Sequence, residues 1–160
     1  MKLKSSFLRG LTLIEVSIVI GILAVLAGVV IVTLKPKEQT GKAIDGTKKS
    51  DSAALLSAVN RYYVSYDGVF PWGSVSNCSA PSSNGTSAVA SCWLNRLVSV
   101  GEIDSSFANG QNISSFIVTL DASSVVHVCF VPESQAFLSQ AYQNSRGINV
   151  SSGTHICVPE

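Results

Sequence analysis

A long apolar run, in which polar positions are rare, lies near the start of the chain. From Leu11 to Leu34, Glu15 is the single charged residue. A helix rises about 1.5 Å per residue, so this segment would span about 36 Å as a helix, more than the roughly 30 Å hydrocarbon core of a bilayer. The pattern therefore predicts a membrane-spanning helix over residues 11–34.

The following segment, residues 35–66, carries apolar side chains at helical spacing. One face of the predicted helix holds Leu55, Val59, Tyr62 and Tyr66. The predicted solvated side holds Asp45, Lys48, Lys49, Asp51 and Arg61. We predict that Gly68 caps this helix and that Pro71 stops it. If nothing breaks the chain near Pro36, the two helices form one continuous rod.

Residues 67–160 contain the short strand and helix segments of a small globular domain. Two segments rich in β-branched residues flank Asp121–Ser123 and predict an antiparallel hairpin. These strands are predicted over Ile113–Leu120 and Ser124–Pro132, a last strand over Thr154–Pro159, and short helices over Cys92–Asp104 and Glu133–Tyr142. Asn77–Ser91 is predicted to be a loop. The fold class is α+β, with the long helix packed on a small antiparallel sheet.

The charges before the apolar run predict the orientation of the chain. Lys2, Lys4 and Arg9 precede the predicted membrane helix. By the positive-inside rule these residues stay in the cytoplasm, so the C-terminal domain lies outside. A cleavable secretory signal is the alternative, with a weak cleavage pattern at Val25–Gly28, but Val29–Val32 continues the apolar run past it.

All four cysteines follow the apolar run, and they form no C-x-x-C pair. That spacing argues against zinc ribbons and thioredoxin-like redox sites. In an exported domain the expected state is two disulfides. Four cysteines allow three connectivities, and we predict the neighbouring pairs Cys78–Cys92 and Cys129–Cys157.

Composition gives no support for catalysis or nucleic-acid binding. The formal net charge is +1, and no Lys/Arg cluster lies beside aromatic residues in the C-terminal part. The two histidines, His127 and His155, lie in predicted strands, where a structural role is expected. No nucleophile, phosphate-loop or zinc-protease motif occurs. The late acidic residues Asp121, Glu133 and Glu160 do not cluster, so we predict no metal site. Because no catalytic or cofactor motif occurs, we also predict no cofactor and no enzyme activity.

The segment G-L-T-L-I-E, Gly10 to Glu15, lies between the basic start and the apolar run. It resembles the class III signal of type IV prepilins, with Leu11 at a position that is often Phe. The resemblance implies a leader over residues 1–10 that prepilin peptidase removes after Gly10, followed by N-methylation of Leu11. It also implies that the Glu15 carboxylate pairs with the terminal amine of a neighbouring subunit during assembly.

The same resemblance implies a structural function. The chain would wait in the cytoplasmic (inner) membrane, contact lipid and an assembly platform, and then polymerise with copies of itself into an extracellular type IV pilus-like filament. Adhesion, motility and DNA uptake are the roles of that family. The alternatives are a pseudopilin of a type II secretion or competence system, and a membrane-anchored extracytoplasmic binding module.

Overall fold

The computed structural model describes residues 11–78, 81, 87–88, 91–121, 123–144 and 153–159. The chain divides into two compact units, residues 1–37 and residues 38–160, and each is described by itself. Together the described segments form an α+β protein with a long apolar N-terminal helix and a small antiparallel sheet. The predicted α+β class is therefore confirmed.

The first helix, α1, covers Leu13–Leu34. It ends at Lys35, whose φ of 41° lies in the left-handed region, and the next helix begins at Pro36. Proline disfavours the helical conformation of the residue before it, which explains the interruption. The condition for one continuous rod, an unbroken chain near Pro36, is therefore not met.

The predicted helices and strands occur in the predicted order, with shorter strands, a helix that ends at Ser99 rather than Asp104, and an additional short helix at Ser105–Ala108. The helices are α2 at Pro36–Ser65, α3 at Ser91–Ser99, α4 at Ser105–Ala108 and α5 at Gln135–Asn144. The strands are β1 at Ser87–Ala88, β2 at Ile117–Leu120, β3 at Val126–Phe130 and β4 at Ile156–Val158. The predicted first strand is too long, because Ile113–Ser115 forms a 3₁₀ turn.

The sheet has the order β1-β2-β3-β4, and each neighbouring pair is antiparallel. The predicted hairpin is β2–β3, in which Val118 lies opposite Val128. Strand β1 lies inside the segment that was predicted to be a loop, and it pairs with β2 through only two residues. A two-residue strand is too short to show a period, so the sequence gives no signal for it.

One hydrophobic core joins α2, α3 and the sheet. Leu55, Val59 and Tyr62 of the predicted apolar face are fully buried. The fourth predicted residue, Tyr66, follows the end of α2 and is 37% exposed, and its ring stacks on Tyr62 with centroids 4.2 Å apart. The largest other fully buried side chains of this core are Trp93, Phe116, Phe130, Leu97 and Ile156.

The predicted solvated side of α2 is wrong at Asp45, which is fully buried, and at Lys48, which is nearly so. The Asp45 carboxylate accepts hydrogen bonds from the Glu133 and Ser134 N–H groups, each at 2.8 Å, and from the Ser134 hydroxyl at 2.6 Å. Lys48 Nζ pairs with Glu133 Oε1 at 2.7 Å. A buried charge is tolerated when it is hydrogen-bonded in this way. The pattern of α2 alone could not indicate this burial, because the hydrogen-bond partners are distant in sequence.

Glu38 and Gly41 extend this contact along α2. The Glu38 carboxylate accepts hydrogen bonds from the N–H groups of Gln135 and Ala136, at 3.1 Å each, in the first turn of α5. A Cβ at Gly41 would lie 3.3 Å from Ser134 Cβ, so the glycine permits the close approach. The hydrogen bonds from Gln135 and then Ala136 lower the pKa of Glu38.

Candidate functional site

The start of α1 is built as a capping box, in which Thr12 is the N-cap residue. The Glu15 N–H donates to Thr12 Oγ1 at 3.3 Å, and the Thr12 N–H donates to Glu15 Oε2 at 3.4 Å. The first N–H groups of a helix have no partner within the helix, and this reciprocal pair satisfies two of the donors at its start. The carboxylate is also favoured by the positive end of the helix dipole.

The remainder of α1 is apolar on every side. All side chains from Leu11 to Ile31 are exposed, and the window Leu13–Ile31 has a mean hydropathy of 2.8. The Ser17 hydroxyl donates to the Leu13 carbonyl at 2.9 Å, so it needs no outside partner. By length and composition, α1 is able to cross a membrane.

The predicted site residues are distributed over both units. Gly10, the predicted cleavage position, lies outside the described residues. Leu11 is 74% exposed and directly precedes the capping box. The four cysteines lie in the second unit, where they form the disulfides Cys78–Cys92 and Cys129–Cys157. These are the neighbouring pairs that we predicted from the sequence.

The role of Thr12 as an N-cap was missed by the sequence prediction, which assigned it only to the T-L-I-E motif. The spacing of a threonine three residues before a glutamate, directly before an apolar run, is itself the signal of a capping box. Glu15 was explained by the helix dipole and by a neighbouring amine. The structure adds a third interaction, which comes from its own N-cap residue.

The capping box leaves part of the Glu15 carboxylate available. Its Oε2 accepts from Thr12, whereas Oε1 accepts no hydrogen bond from the described part of the chain. All four capping atoms belong to residues after the Gly10–Leu11 bond, so cleavage of that bond would not remove them. The arrangement can therefore hold a carboxylate at the start of an apolar helix and still accept a cation.

In the second unit, the most notable polar pair is Asp121 and His127. Asp121 Oδ1 accepts from the Ser123 and Val125 N–H groups at 2.8 Å each, which shapes the β2–β3 turn. The hydrogen bond from the Val125 N–H, then that from the Ser123 N–H and the nearby His127 ring, outweigh burial and lower the pKa of Asp121. His127 Nε2 lies 3.6 Å from Asp121 Oδ2, and Nδ1 lies 3.2 Å from the Pro159 carbonyl oxygen. These contacts suit a structural histidine that ties β3 to the last strand.

Among the described residues, no group of three or more His, Cys, Asp or Glu side chains could hold a metal ion. Comparisons with known proteins found no match to a family model, a curated protein or a solved structure. The function must therefore be inferred from the residues and geometry of this chain.

Proposed function

We propose that this chain is a structural subunit of a type IV pilus-like filament, made as a prepilin and cleaved after Gly10. The observation that carries the proposal is the T-L-I-E capping box at the start of an apolar helix whose side chains are exposed up to Ile31. The preceding Gly10 and the basic residues before it complete the prepilin-like signal. Prepilin peptidase, the inner-membrane assembly platform and further copies of the chain are the proposed partners.

The capping box explains how a charged residue can be kept in such a helix. A charged side chain near the middle of a bilayer costs roughly 2.5–3.5 kcal/mol on insertion scales, and the cost falls towards the interface. Glu15 lies at the third helical position, where the Thr12 N–H and the helix dipole offset part of this cost. After cleavage, the new amine of Leu11 would lie just before the N-cap residue Thr12, four residues from Glu15, and provide a positive charge.

In the proposed filament the Glu15 carboxylate sets the register between subunits. Its second oxygen, Oε1, accepts a hydrogen bond from the terminal amine of a neighbouring subunit. A helix that slipped along its neighbour would leave both charges unpaired in an apolar core. Leaving one partner of a buried ion pair alone costs several kcal/mol, which penalises wrong registers.

The face of α1 that contains Gly21 and Gly28 supports close helix packing in the filament. The two glycines are seven residues apart and lie on one side of the helix. A Cβ at either position would meet no atom of the described chain within 4 Å. Small residues let helix backbones approach closely. Close packing favours helix association in an apolar environment, where the hydrophobic effect does not drive it.

The experiment compares Glu15→Gln, Glu15→Val and a control, Ser17→Ala, in cells that have the peptidase and the assembly platform. Glutamine retains an acceptor for the Thr12 N–H but removes the charge, whereas valine removes both. We expect all three variants to be cleaved after Gly10. Sheared filaments should be recovered at wild-type levels from Ser17→Ala and be strongly reduced for both Glu15 variants.

Three results would contradict the proposal in different ways. Normal filament yield from Glu15→Gln would show that the charge does not direct assembly. Wild-type chain that is cleaved but remains entirely in the periplasmic or membrane fraction would favour a pseudopilin. Failure of cleavage would leave a membrane-anchored module as the remaining hypothesis.

A further inference from the structure

A cleft of about 450 Å³ opens in the second unit between the C-terminal half of α2 and the turn that joins β2 to β3. Asn60 and Tyr63 line it from α2, and Ser123 and Ser124 line it from the turn. Val126, which is 4% exposed, contributes an apolar wall. The volume lies within the range of about 300–1,000 Å³ that is typical of small-molecule sites.

The aromatic side of the cleft is anchored in the hydrophobic core. The Tyr63 ring lies 4.4 Å from the Phe70 ring, and Phe70 stacks on Trp72 at 4.8 Å. Trp72 in turn meets the edge of the buried Trp93 at 5.6 Å. Tyr63 itself is 39% exposed, so it is the solvent-facing end of a packed aromatic stack. Such a ring is a rigid surface whose position is set before any ligand arrives.

The opposite side of the cleft is the turn between β2 and β3, of which Asp121 and residues 123–125 are described. The Asp121 carboxylate holds it through the hydrogen bonds to the Ser123 and Val125 N–H groups. Ser124 has a φ of 64°, an uncommon conformation for a residue other than glycine. A residue stays in this conformation only where its surroundings hold it there, so the two serine hydroxyls are presented from a defined backbone.

The polar groups around the cleft are neutral and available. The side chains of Asn60, Tyr63, Ser123 and Ser124 make no hydrogen bond within the part of the chain that the structure describes. No described residue that lines the cleft carries a formal charge. A phosphate or carboxylate ligand would therefore find no counter-charge among these described residues, whereas a neutral ligand with several hydroxyls would find matching donors and acceptors.

We propose that this cleft binds a neutral pyranose. The apolar C–H face of the sugar ring packs against Tyr63, and its hydroxyl groups exchange hydrogen bonds with the Asn60 amide and the Ser124 hydroxyl. Weak C–H contacts with an aromatic face, together with amide and hydroxyl hydrogen bonds, suit a ligand that is apolar on its faces and polar at its edge. This binding does not depend on filament assembly, so it can be tested on the unassembled full chain.

The test uses the full chain in phosphocholine micelles, since a sugar-based detergent would compete for the cleft. Methyl β-galactopyranoside, methyl α-mannopyranoside and N-acetylglucosamine are titrated, and binding is followed by saturation-transfer difference NMR. We expect saturable binding of at least one sugar with a dissociation constant on the order of 1 mM, as for a ligand of about twelve to fifteen non-hydrogen atoms.

Variants then locate the binding. Tyr63→Ala should weaken it at least tenfold, and Asn60→Ala at least threefold. Tyr63→Phe keeps the ring and the aromatic stack, so it should bind within about threefold of wild type and guards against a folding defect in the alanine variant. The controls are Val64→Ala and Ser65→Ala, which change exposed residues of the same helix outside the cleft and should leave binding unchanged.

Several results would overturn the proposal. One is no saturable binding of any of the three sugars by folded wild-type chain. Another is equal binding by wild type and by a folded Tyr63→Ala variant, and a third is an equal loss in Val64→Ala. Preferential binding of an acidic sugar, such as glucuronate, over its neutral counterpart would also contradict the neutral cleft.

Discussion

The two units of the chain satisfy their apolar side chains in opposite ways. In α1 every described side chain up to Ile31 is exposed, although the segment is the most apolar of the protein. In the second unit, α2 buries Leu55, Val59 and Tyr62 against its own sheet and α3. The second unit therefore has an internal source of stability, whereas the exposed apolar surface of α1 belongs to a helix that is able to cross a membrane by length and composition.

The largest expected difference between the two units comes from truncating one large apolar side chain in each. Trp93→Ala should destabilise the second unit by about 3–5 kcal/mol, because Trp93 is only 1% exposed and packs on Trp72. Ile22→Ala in α1 should change that unfolding transition by less than about 0.5 kcal/mol, because Ile22 is 56% exposed. Urea unfolding in micelles, followed by near-UV circular dichroism, measures both. An equal effect of the two variants would contradict the comparison.

The two disulfides should stabilise the second unit by similar entropic amounts. Their sequence separations are 14 and 28 residues, which correspond to about 3 and 3.5 kcal/mol in the loop-entropy description. Cys129 and Cys157 are also fully buried, so the double alanine variant of that pair leaves a cavity and should cost more than the Cys78/Cys92 variant. The same assay compares the free energies of unfolding of the two variants. A larger loss in the Cys78/Cys92 variant would contradict the prediction.

Asp45 sharpens the comparison because it shows that the second unit also buries charge. Asp45→Asn should cost about 1.5–3 kcal/mol, since the carboxylate accepts from two N–H groups and one hydroxyl. The matched control is Asp51→Asn on the same helix, where the half-exposed carboxylate accepts from Asn112 Nδ2 at 2.8 Å. This control should cost less than about 1 kcal/mol. Equal losses of unfolding free energy in Asp45→Asn and Asp51→Asn would indicate that burial does not strengthen the hydrogen bonds of Asp45.

The smallest expected effect is the pH dependence due to Glu38. Hydrogen bonds from Gln135 and Ala136 lower the pKa of Glu38 in the folded chain. Its contribution is therefore present above the unfolded pKa of about 4.3 and is lost as the pH falls through the lower folded value. Glu38→Gln should be less stable than wild type near neutral pH, and the two melting temperatures should converge in acid. A constant difference from about pH 7 to pH 3 would show that the Glu38 charge is not responsible.

A feature of the fold could be predicted from the sequence where it depends on residues that are close together in the chain. The apolar run, the Leu55–Val59–Tyr62 face and the β2–β3 hairpin are repeated patterns over adjacent residues, and each was found. The burial of Asp45 depends on Ser134, which lies far along the chain, so periodicity could only assign it to solvent. The break at Lys35 had a local signal in Pro36, but the structure was needed to show that the helix ends there.

The candidate site follows the same rule. The T-L-I-E segment was interpreted as part of a prepilin-like signal because its residues are contiguous, and its capping geometry was readable from the same spacing. The sugar cleft could not be predicted, because Tyr63, Phe70 and Ser124 come from three separate segments. Only the fold brings them to one opening.

The most direct test of the central claim is the mass of the mature N-terminus, measured on chain from its native membrane and from sheared surface material. The proposal predicts that the chain begins at Leu11 and carries one additional methyl group, with Glu15 retained in the first turn of α1. It also predicts that the sheared fraction contains this same species. A chain that begins at Met1, or one that begins near Gly28 without the apolar helix, would contradict the proposed filament subunit.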